Sequence, residues 1–476
     1  MGFDVVYYYK GLIKLNDKKK VVFASPPNLS YGTISPPVGL LYLGTVTKVS
    51  GRDAVIIDAA SLNYSIKTTV DLILNEKPDY LALTAVTLTI AEAAKIAEEI
   101  KTALPNTIII IGGHHLTALP EDTMNKYPHF DFGVIGEGEI TIIELFDELD
   151  SNRKYFNLVN GIIYRENNQL KITPPRERIK NLDSLPLPDW SLLPNLVKTY
   201  SPPPHVVEVF PSIGFNSSRG CPGKCIFCSN SVFKNKLSYL SANRLFEIVN
   251  QLHKEYGIKE IWLGEDNFLI YKKRLFEFSK LLIDNNLEMS FVCSGRIDNV
   301  KSKDELFLMK KAGFRQIWYG IESGDQRILD ILQKEITLDE IHEIVNWTHE
   351  VGIGACGYFI FGAPGETEET LNKTLNLSLD LNLQAAHASF MIPFPGSKLY
   401  NEYPLYGVFY RNNLDMYKPS FIPNGLDQKT LVKYFKKFYR KFYLRPHIIL
   451  IYIRRLKNPH NILPIFKGFL ELIKNI

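Results

Sequence analysis

The chain has 476 residues and a formal net charge of +4, and 45% of its residues are hydrophobic, so we expect more than one globular domain. Its five cysteines, three of them clustered, argue against a disulfide framework and for a reducing compartment. The N-terminal residues lack a signal-peptide pattern and no uncharged apolar stretch approaches the ~18 residues of a membrane span, so we predict a cytoplasmic protein.

The first domain follows a short extension, residues 1–19, and is predicted to span residues 20–155. Its strand candidates are near-continuous apolar runs, at 20–27, 53–59, 79–86, 107–113 and 132–139. Such runs, separated by helical patterns, indicate a parallel sheet covered on both faces. We therefore predict an α/β, doubly wound sheet of the flavodoxin-like type. Ligands of such sheets lie in loops at the carboxyl ends of the strands. The candidates here are Gly112, Gly113, Gly136, Glu137 and Gly138.

Residues 156–212 form a Pro-rich segment that we interpret as a linker. It begins with a hairpin pattern, GIIYRENNQLKI, and prolines then prevent regular structure. Leu182, Leu185, Leu187 and Trp190 give it apolar anchors, so we expect it to wrap against the protein.

Alternation of strands and helices resumes over residues 213–400. Strand candidates lie at 213–217, 259–264, 288–293, 315–320, 354–361 and 385–391. Helical patterns separate them, for example at 241–256 and 338–351. Repeats of this spacing predict a partial (β/α)6 barrel with its active site at the carboxyl ends of the strands.

Residues 401–476 are predicted to form a basic, amphipathic helical region. From Lys429 onward it carries twelve Lys or Arg and one acid, Glu471. Leu431, Phe438 and neighbouring apolar residues share one helical face. Two interpretations remain open: a helix packed on the barrel with a solvated basic face, or contact with a membrane surface or anionic lipid.

Cys221, Cys225 and Cys228 lie within the stretch SRGCPGKCIFCSN. A structural zinc site needs four ligands, and the neighbouring sequence offers no fourth Cys or His. A [4Fe–4S] cluster held by three cysteines would leave one iron open to a non-protein ligand. The alternatives are a zinc site completed by Cys293 or Cys356, or three unrelated thiols.

The segment SSRGCPGKCIFC resembles the cluster motif of the radical S-adenosylmethionine (SAM) superfamily, and further segments line up in that superfamily's order. WLGEDNF resembles the acidic motif that holds the SAM amino group, which implies that role for Gly264, Glu265 and Asp266. Glu265 and Asp266 could instead cap a helix. Arg296 could pair with the SAM carboxylate or form a surface ion pair.

Three later segments extend this resemblance. YGIESGDQRIL resembles the fourth-strand motif, which implies that Glu322 and Ser323 lie near the SAM ribose or carboxylate. FIFGAPGET resembles the segment that packs on adenine. Its matching residues are Gly362, Pro364, Gly365 and Glu366. PFPGSKLY resembles the segment after the sixth strand.

The N-terminal half resembles the radical SAM branch that carries a cobalamin (B12)-binding domain, through IIIIGGHHLTALPEDT, FDFGVIGEGEITIIEL and LPLPDW. The resemblance thus covers residues 20–400 and implies cobalamin near the glycine loops named above, although Gly112-Gly113 could be only a tight turn. One motif departs from the cobalamin pattern D-x-H-x-x-G: Asp58 is present, but Ala60 replaces the histidine. This departure is compatible with cobalamin bound without a protein histidine, and does not argue for it.

The resemblance implies an enzyme that reduces a [4Fe–4S] cluster with a ferredoxin- or flavodoxin-type donor and cleaves SAM to a 5′-deoxyadenosyl radical. The expected reaction functionalises an unactivated C–H bond, by C-methylation through methylcobalamin or by C–C bond or ring formation.

The apolar, basic tail favours a lipid or isoprenoid substrate, as in the similar tetraether ring synthases and hopanoid methylases, with peripheral membrane contact. A soluble metabolite or a porphyrin or antibiotic precursor is the alternative. A non-catalytic iron–sulfur or cobalamin protein is a further one, which the SAM motifs disfavour. Nucleic acid is not an expected partner.

Overall fold

A computed structural model of the chain describes residues 19–27, 35–151, 154–203, 205–412, 414–456, 459, 461–462 and 465–466. The predicted N-terminal extension lies outside these residues except for residue 19, and so does most of the segment after 456. The contacts divide the chain into two compact units. One comprises Met1–Tyr200 and Asn230–Leu240, and the other comprises Ser201–Ser229 and Ser241–Ile476.

The strands, numbered in chain order, have the following bounds: β1 Lys20–Ser25, β2 Asp53–Asp58, β3 Tyr80–Thr84, β4 Ile108–Gly112, β5 Phe132–Val134, β6 Ile162–Glu166, β7 Gln169–Ile172, β8 Ser212–Phe215, β9 Ser218–Arg219, β10 Ser238–Tyr239, β11 Glu260–Leu263, β12 Ser290–Gly295, β13 Phe314–Glu322, β14 Gly354–Phe361, β15 Ala385–Phe390, β16 Gly407–Phe409 and β17 Phe421–Pro423.

The α-helices have the following bounds: α1 Val38–Val49, α2 Ile66–Glu76, α3 Ile90–Ala103, α4 His114–Ala118, α5 Pro120–Lys126, α6 Glu139–Asp150, α7 Leu196–Thr199, α8 Ala242–Tyr256, α9 Lys272–Asp284, α10 Lys303–Lys311, α11 Gln326–Ile331, α12 Leu338–Glu350, α13 Glu368–Asp380, α14 Lys398–Tyr406, α15 Gln428–Tyr443 and α16 Pro446–Arg455. Short 3₁₀ turns lie at Phe156–Leu158, Leu182–Ser184, Trp190–Leu192, Phe268–Ile270 and Ile297–Asn299.

The first unit is built on a sheet with the strand order β2-β1-β3-β4-β5-β6-β7. Strands β1 to β5 run parallel, and the hairpin β6–β7 extends the sheet in antiparallel pairing. Val21–Ala24 is fully buried because helices cover both faces of a doubly wound sheet. The predicted parallel domain is therefore confirmed, and the predicted hairpin belongs to its sheet.

The segment predicted as a linker does not stand apart from the units. Its residues up to Tyr200 belong to the first unit, and those from Ser201 belong to the second. Three of its four predicted anchors are buried, Leu182, Leu185 and Trp190, whereas Leu187 is half-buried. Apolar burial thus replaces the regular hydrogen bonding that its prolines prevent.

The second unit contains a parallel sheet with the order β15-β14-β13-β12-β11-β8. The connecting helices begin and end at capping residues. Thr337 and Glu340 form a capping box at the start of α12, and Gly257, with a φ of 67°, ends α8. The predicted partial barrel is confirmed, and its strands end at one edge where the candidate site lies.

Helix α15 covers the free edge of β15. The Tyr439 hydroxyl lies 3.0 Å from both the N and the O of Ala388, and the Tyr443 hydroxyl lies 2.7 Å from the O of Ala386. The apolar face of α15, including Leu431, Phe438 and Phe442, is buried. Of the two interpretations of this helix, its apolar residues favour packing on the barrel. In the described residues no helix has the length and apolar character needed to cross a bilayer.

Candidate active site

The three clustered cysteines lie in a loop that follows β8 and β9. Gly220, with a φ of 81°, turns the chain into this loop. Its second half is held by backbone bonds of Ile226, whose N–H donates to the Leu332 carbonyl at 3.1 Å and whose carbonyl accepts from the Leu399 N–H at 2.8 Å. The Ser229 hydroxyl also donates to the Pro395 carbonyl at 2.7 Å. The PFPGSKLY segment therefore clamps the cysteine loop.

The arrangement of these thiols fits an iron–sulfur cluster better than a zinc ion. Cys293 and Cys356, the proposed fourth zinc ligands, are fully buried in β12 and β14, and the Cys356 sulfur accepts a hydrogen bond from the Gln316 amide at 2.8 Å. Across the described part of the chain, no three His, Cys, Asp or Glu side chains converge on a single metal ion. Cluster thiolates bind different irons and surround a cube instead, so the loop fits a [4Fe–4S] group.

Charged groups surround the cysteine sulfurs. Arg296 donates through Nη1 to the Cys225 Sγ at 3.3 Å, and its Nε donates to Asp298 at 2.8 Å. Burial raises the pKa of the Cys221 thiol, the Gly223 N–H and Arg296 oppose the rise, and Asp266 adds to it. Asp266 is exposed after β11. A cation and an exposed carboxylate thus flank the thiols, which suits a ligand with both an anionic and a cationic end. Arg296 is 8% exposed, so it is not the surface ion pair of the alternative.

The Glu265 side chain is directed into the protein. It is 2% exposed, its Oε2 accepts the Ser217 N–H at 2.8 Å, and its Oε1 accepts from the Ser218 hydroxyl and from Arg274 Nη2, both at 3.0 Å. The predicted role of Glu265 at the SAM amino group stays a prediction, and the contacts that the structure shows for its carboxylate are all within the protein. Its role in the structure is to fix the end of the first barrel strand. Gly264 has space for no larger residue, because an added Cβ would come within 2.8 Å of the Trp262 ring.

Glu322 is the last residue of the long strand β13 and Ser323 follows it, and their side chains point in different directions. Glu322 Oε1 accepts from Lys334 Nζ at 2.6 Å, and both side chains are buried. The Ser323 hydroxyl lies 3.2 Å from the Thr374 hydroxyl on α13, so Ser323 anchors a helix. Glu322 remains at the carboxyl end of the strand, whereas Ser323 is directed away from it.

The loop after β14 holds the residues expected near adenine. Gly362 and Gly365 have φ values of 86° and 77°, so they adopt the left-handed region, and Pro364 is buried between them. The Glu366 carboxylate accepts the backbone N–H of Gly362 at 2.6 Å and that of Ala363 at 3.1 Å. Glu366 thus fixes the conformation of its own loop by accepting two of its backbone N–H groups. The loop leaves its backbone available for contact with a planar base.

The first unit places its candidate cofactor loops at the carboxyl ends of β4 and β5. Gly113 has a φ of 100°, and a Cβ there would come within 2.6 Å of the Ala85 carbonyl. Gly136 has a φ of 87° and open space beside it, and Gly112 is similarly open, with nothing closer than 3.9 Å. These bare backbone surfaces fit the close approach of a large ligand such as a corrin.

Glu137 and Gly138 have structural positions in this loop. The Glu137 side chain is 5% exposed, accepts the Ile179 N–H at 2.9 Å and lies 3.6 Å from Arg178 Nε. Gly138 precedes the first residue of α6. His115, on α4 just after Gly113, bonds through Nδ1 to the Thr87 hydroxyl at 3.1 Å, and burial lowers its pKa to about 4.

Two buried basic residues at the site were not among the predicted site residues. Arg274, on α9, is 1% exposed and pairs with Glu265, and Lys334, on the turn after α11, is 4% exposed and pairs with Glu322. A basic residue in a helix or a polar turn predicts exposure. Lys334 lies five residues beyond the YGIESGDQRIL segment, and nothing in the sequence around it predicts its burial.

Comparison with known proteins adds the family. The Radical SAM superfamily model matches residues 215–378, and the B12 binding domain model matches residues 26–146. An uncharacterized methyltransferase, PH0819, of Pyrococcus horikoshii is 32% identical over 441 residues, which cover 90% of this chain and 94% of that protein. The chain belongs to the cobalamin-binding radical SAM family. It is therefore a radical SAM enzyme of the methyltransferase and cyclase class, and its cofactors are a [4Fe–4S] cluster, SAM and cobalamin.

Other members of the family share most of the chain. The anaerobic magnesium-protoporphyrin IX monomethyl ester cyclase of Rubrivivax gelatinosus is 28% identical over 86% of this chain and 74% of its own. Among solved structures, the cobalamin-dependent radical enzyme OxsB has a TM-score of 0.72 at 17% identity, over 90% of this chain and 67% of that one. TsrM from Kitasatospora setae has a TM-score of 0.66 at 16% identity, over 81% and 74%. These two share the fold.

Proposed function

We propose that Cys221, Cys225 and Cys228 hold the [4Fe–4S] cluster, and that the fourth iron position is where SAM binds. The observation that carries this proposal is a loop with three thiols, clamped at the carboxyl edge of parallel strands, beside the exposed Asp266. When bound, the cluster and SAM supply a 5′-deoxyadenosyl radical, and cobalamin supplies a methyl group. The reductant is a ferredoxin- or flavodoxin-type protein.

Different residues of the chain bind different parts of SAM and cobalamin. Asp266 orients the SAM ammonium through its carboxylate, and Arg296, close to the Cys225 sulfur, faces the anionic end of the ligand. The Gly362–Glu366 loop offers backbone to the adenine, and Glu366 keeps that loop in shape from its buried position. In the first unit, the Gly112-Gly113 and Gly136–Gly138 loops receive the corrin.

We propose a hydrophobic lipid or isoprenoid as the substrate, modified by C-methylation or by C–C bond or ring formation at a membrane surface. Helix α16 supports this proposal, because its Ile449, Leu450 and Ile453 are 40%, 53% and 53% exposed. Exposed Arg440, Lys441 and Arg454 lie on α15 and α16. An apolar surface with basic neighbours suits a bilayer that contains anionic lipid.

Vesicle binding tests the membrane contact. Full-length protein should co-sediment with vesicles that contain phosphatidylglycerol and bind phosphatidylcholine vesicles weakly, and Leu450→Glu with Ile453→Glu should reduce the bound fraction at least tenfold. Phe307→Glu is the matched control, since Phe307 is an exposed apolar residue on α10, 51% exposed. Equal binding by the α16 variant and the control would contradict the proposed contact.

Product analysis tests the substrate class. Expression of the chain in a host that lacks it should add a methylated or cyclised lipid to the extract, and Cys225→Ala should abolish that product. A change in a soluble metabolite with unchanged lipids would refute the lipid substrate. It would favour a second candidate, a tetrapyrrole or another soluble precursor, which the 28% identity to the magnesium-protoporphyrin ester cyclase supports.

A further inference from the structure

A buried ion pair lies at the carboxyl end of β13, and its backbone is unusually constrained. Lys334 Nζ lies 2.6 Å from Glu322 Oε1, with side chains that are 6% and 9% exposed. Glu322 has a φ of 67°, and the residues on either side of Lys334, Gln333 and Glu335, have φ values of 53° and 57°. Left-handed backbone at residues other than glycine costs free energy and collects where the surrounding structure enforces a function. The surrounding structure therefore holds these residues in a backbone conformation that their residue types disfavour.

Gly320, in strand β13, leaves space for this ion pair. A Cβ at Gly320 would lie 2.6 Å from both Lys334 Nζ and Glu322 Oε1. The ammonium and the carboxylate thus lie directly over the backbone of the strand. Any side chain at this position would displace at least one of the two charges.

The pair is connected to the cysteine loop by hydrogen bonds. Arg296 donates through Nη2 to the Lys334 carbonyl and through Nη1 to the Cys225 Sγ, the latter at 3.3 Å. The carbonyl of Leu332, two residues before Lys334, accepts the N–H of Ile226 in the loop. The turn that carries Lys334 is therefore fixed to the loop at two points.

Both cations are buried beside the cysteine loop. Arg296 is 8% exposed and Lys334 is 4% exposed, and the Arg296 guanidinium contacts both the Cys225 sulfur and the Lys334 carbonyl. Lys334 and Arg296 are thus two fixed cations against a group of sulfurs that becomes anionic when it binds iron.

We propose that Lys334, positioned by Glu322 and tied to Arg296, raises the reduction potential of the cluster that Cys221, Cys225 and Cys228 hold. This inference rests on the proposed assignment of those cysteines. Reduction transfers one electron from an external donor to the cluster and breaks no bond, so it adds one negative charge. A fixed cation nearby stabilises the reduced cluster more than the oxidised one, and the effect is larger where water is excluded. Lys334 is a positioning residue that acts through the cluster.

A redox titration of charge variants tests this inference. The full chain and its variants are reconstituted anaerobically with iron and sulfide, and the cluster potential is measured by EPR without SAM or substrate. Lys334→Met should shift the midpoint to a more negative value and Lys334→Arg should stay near the parent. Glu322→Gln should shift it in the positive direction, because it removes a neighbouring negative charge while the amide oxygen still accepts from Lys334 and keeps it in place. Each tenfold change in the reduction equilibrium corresponds to about 59 mV for one electron.

Lys373→Met is the matched control, because Lys373 also pairs with an acid, Asp325 at 2.9 Å, but its side chain is 48% exposed. Its midpoint should equal that of the parent. Equal midpoints for Lys334→Met and the parent would overturn the inference, as would shifts of Lys334→Met and Glu322→Gln in the same direction, which would indicate general damage. If Lys334→Met takes up no cluster, the sign of the Glu322→Gln shift decides. A parent protein that binds no cluster would refute the proposed function itself.

Discussion

Breaking the buried pair between Glu265 and Arg274 should loosen the start of the cysteine loop. Both side chains are about 1–2% exposed, and Glu265 also accepts the Ser217 N–H at 2.8 Å. Removing one member of a buried, hydrogen-bonded pair strands the other charge and costs about 3–5 kcal/mol. Glu265→Gln and Arg274→Met should each lower local stability by about that amount.

Amide hydrogen exchange of the full chain measures the effect locally, in peptides that span residues 212–220. Opening that exposes the Ser217 amide should become about a hundredfold to a few thousandfold more frequent in either variant. Lys303→Gln is the control. It removes an ion pair with Glu350 in which the side chains are 48% and 56% exposed, so it should cost less than about 1 kcal/mol.

A double-mutant cycle supplies the decisive comparison for this pair. The combination of Glu265→Gln with Arg274→Met leaves no stranded charge, so it should cost clearly less than the two single changes added together. Strictly additive effects, or exchange in the single variants equal to that of the parent, would refute the argument that these charges hold the end of β8.

Three further outcomes follow from single contacts. Tyr439→Phe and Tyr443→Phe should each cost about 1–3 kcal/mol and speed amide exchange in residues 385–390, because the phenols satisfy backbone groups of the edge strand; unchanged exchange would contradict that role. Gly320→Ala should lower iron uptake on reconstitution, since its Cβ would lie 2.6 Å from both members of the buried pair, and normal uptake would speak against the tight fit. Burial raises the pKa of Glu366 from 4.5 to about 8, so folding favours its protonated form. Stability should therefore fall as pH rises from about 4.5 to about 8, and Glu366→Gln should flatten that slope in urea unfolding. An identical slope in parent and variant would exclude Glu366 as its cause.

The strands were predictable because burial on both faces leaves a plain pattern in the sequence. The run predicted at 53–59 is β2, Asp53–Asp58, and the run at 107–113 contains β4, Ile108–Gly112. The longest strand was predicted too short, at 315–320, because Glu322 reads as a loop residue. Backbone pairing with Phe359 of β14, after a shift in register, extends the strand to Glu322.

The directions of polar side chains were not predictable in the same way. Adjacent Glu265 and Asp266 are equivalent in the sequence, yet one is buried against Arg274 and the other is exposed. The distinction depends on a partner in a later helix, and neither residue type nor spacing encodes it. The same holds for Lys334, whose partner lies on another element.

The C-terminal helices show a third kind of limit. The sequence identifies an apolar face on α15, and it leaves open whether protein or lipid covers that face. The answer depends on the free edge of β15, where Ala386 and Ala388 need partners that the phenols supply. The exposed apolar residues instead lie on α16, where the sequence shows a comparable apolar run.

The most direct test of the account is the response of the cluster to SAM. The reconstituted, reduced protein should contain about four irons and show a [4Fe–4S] EPR spectrum that changes when SAM is added, because one iron has no protein ligand. Alanine in place of Cys221, Cys225 or Cys228 should abolish that spectrum. A fully loaded cluster whose spectrum SAM does not alter would contradict the central claim that the three cysteines leave a position for SAM.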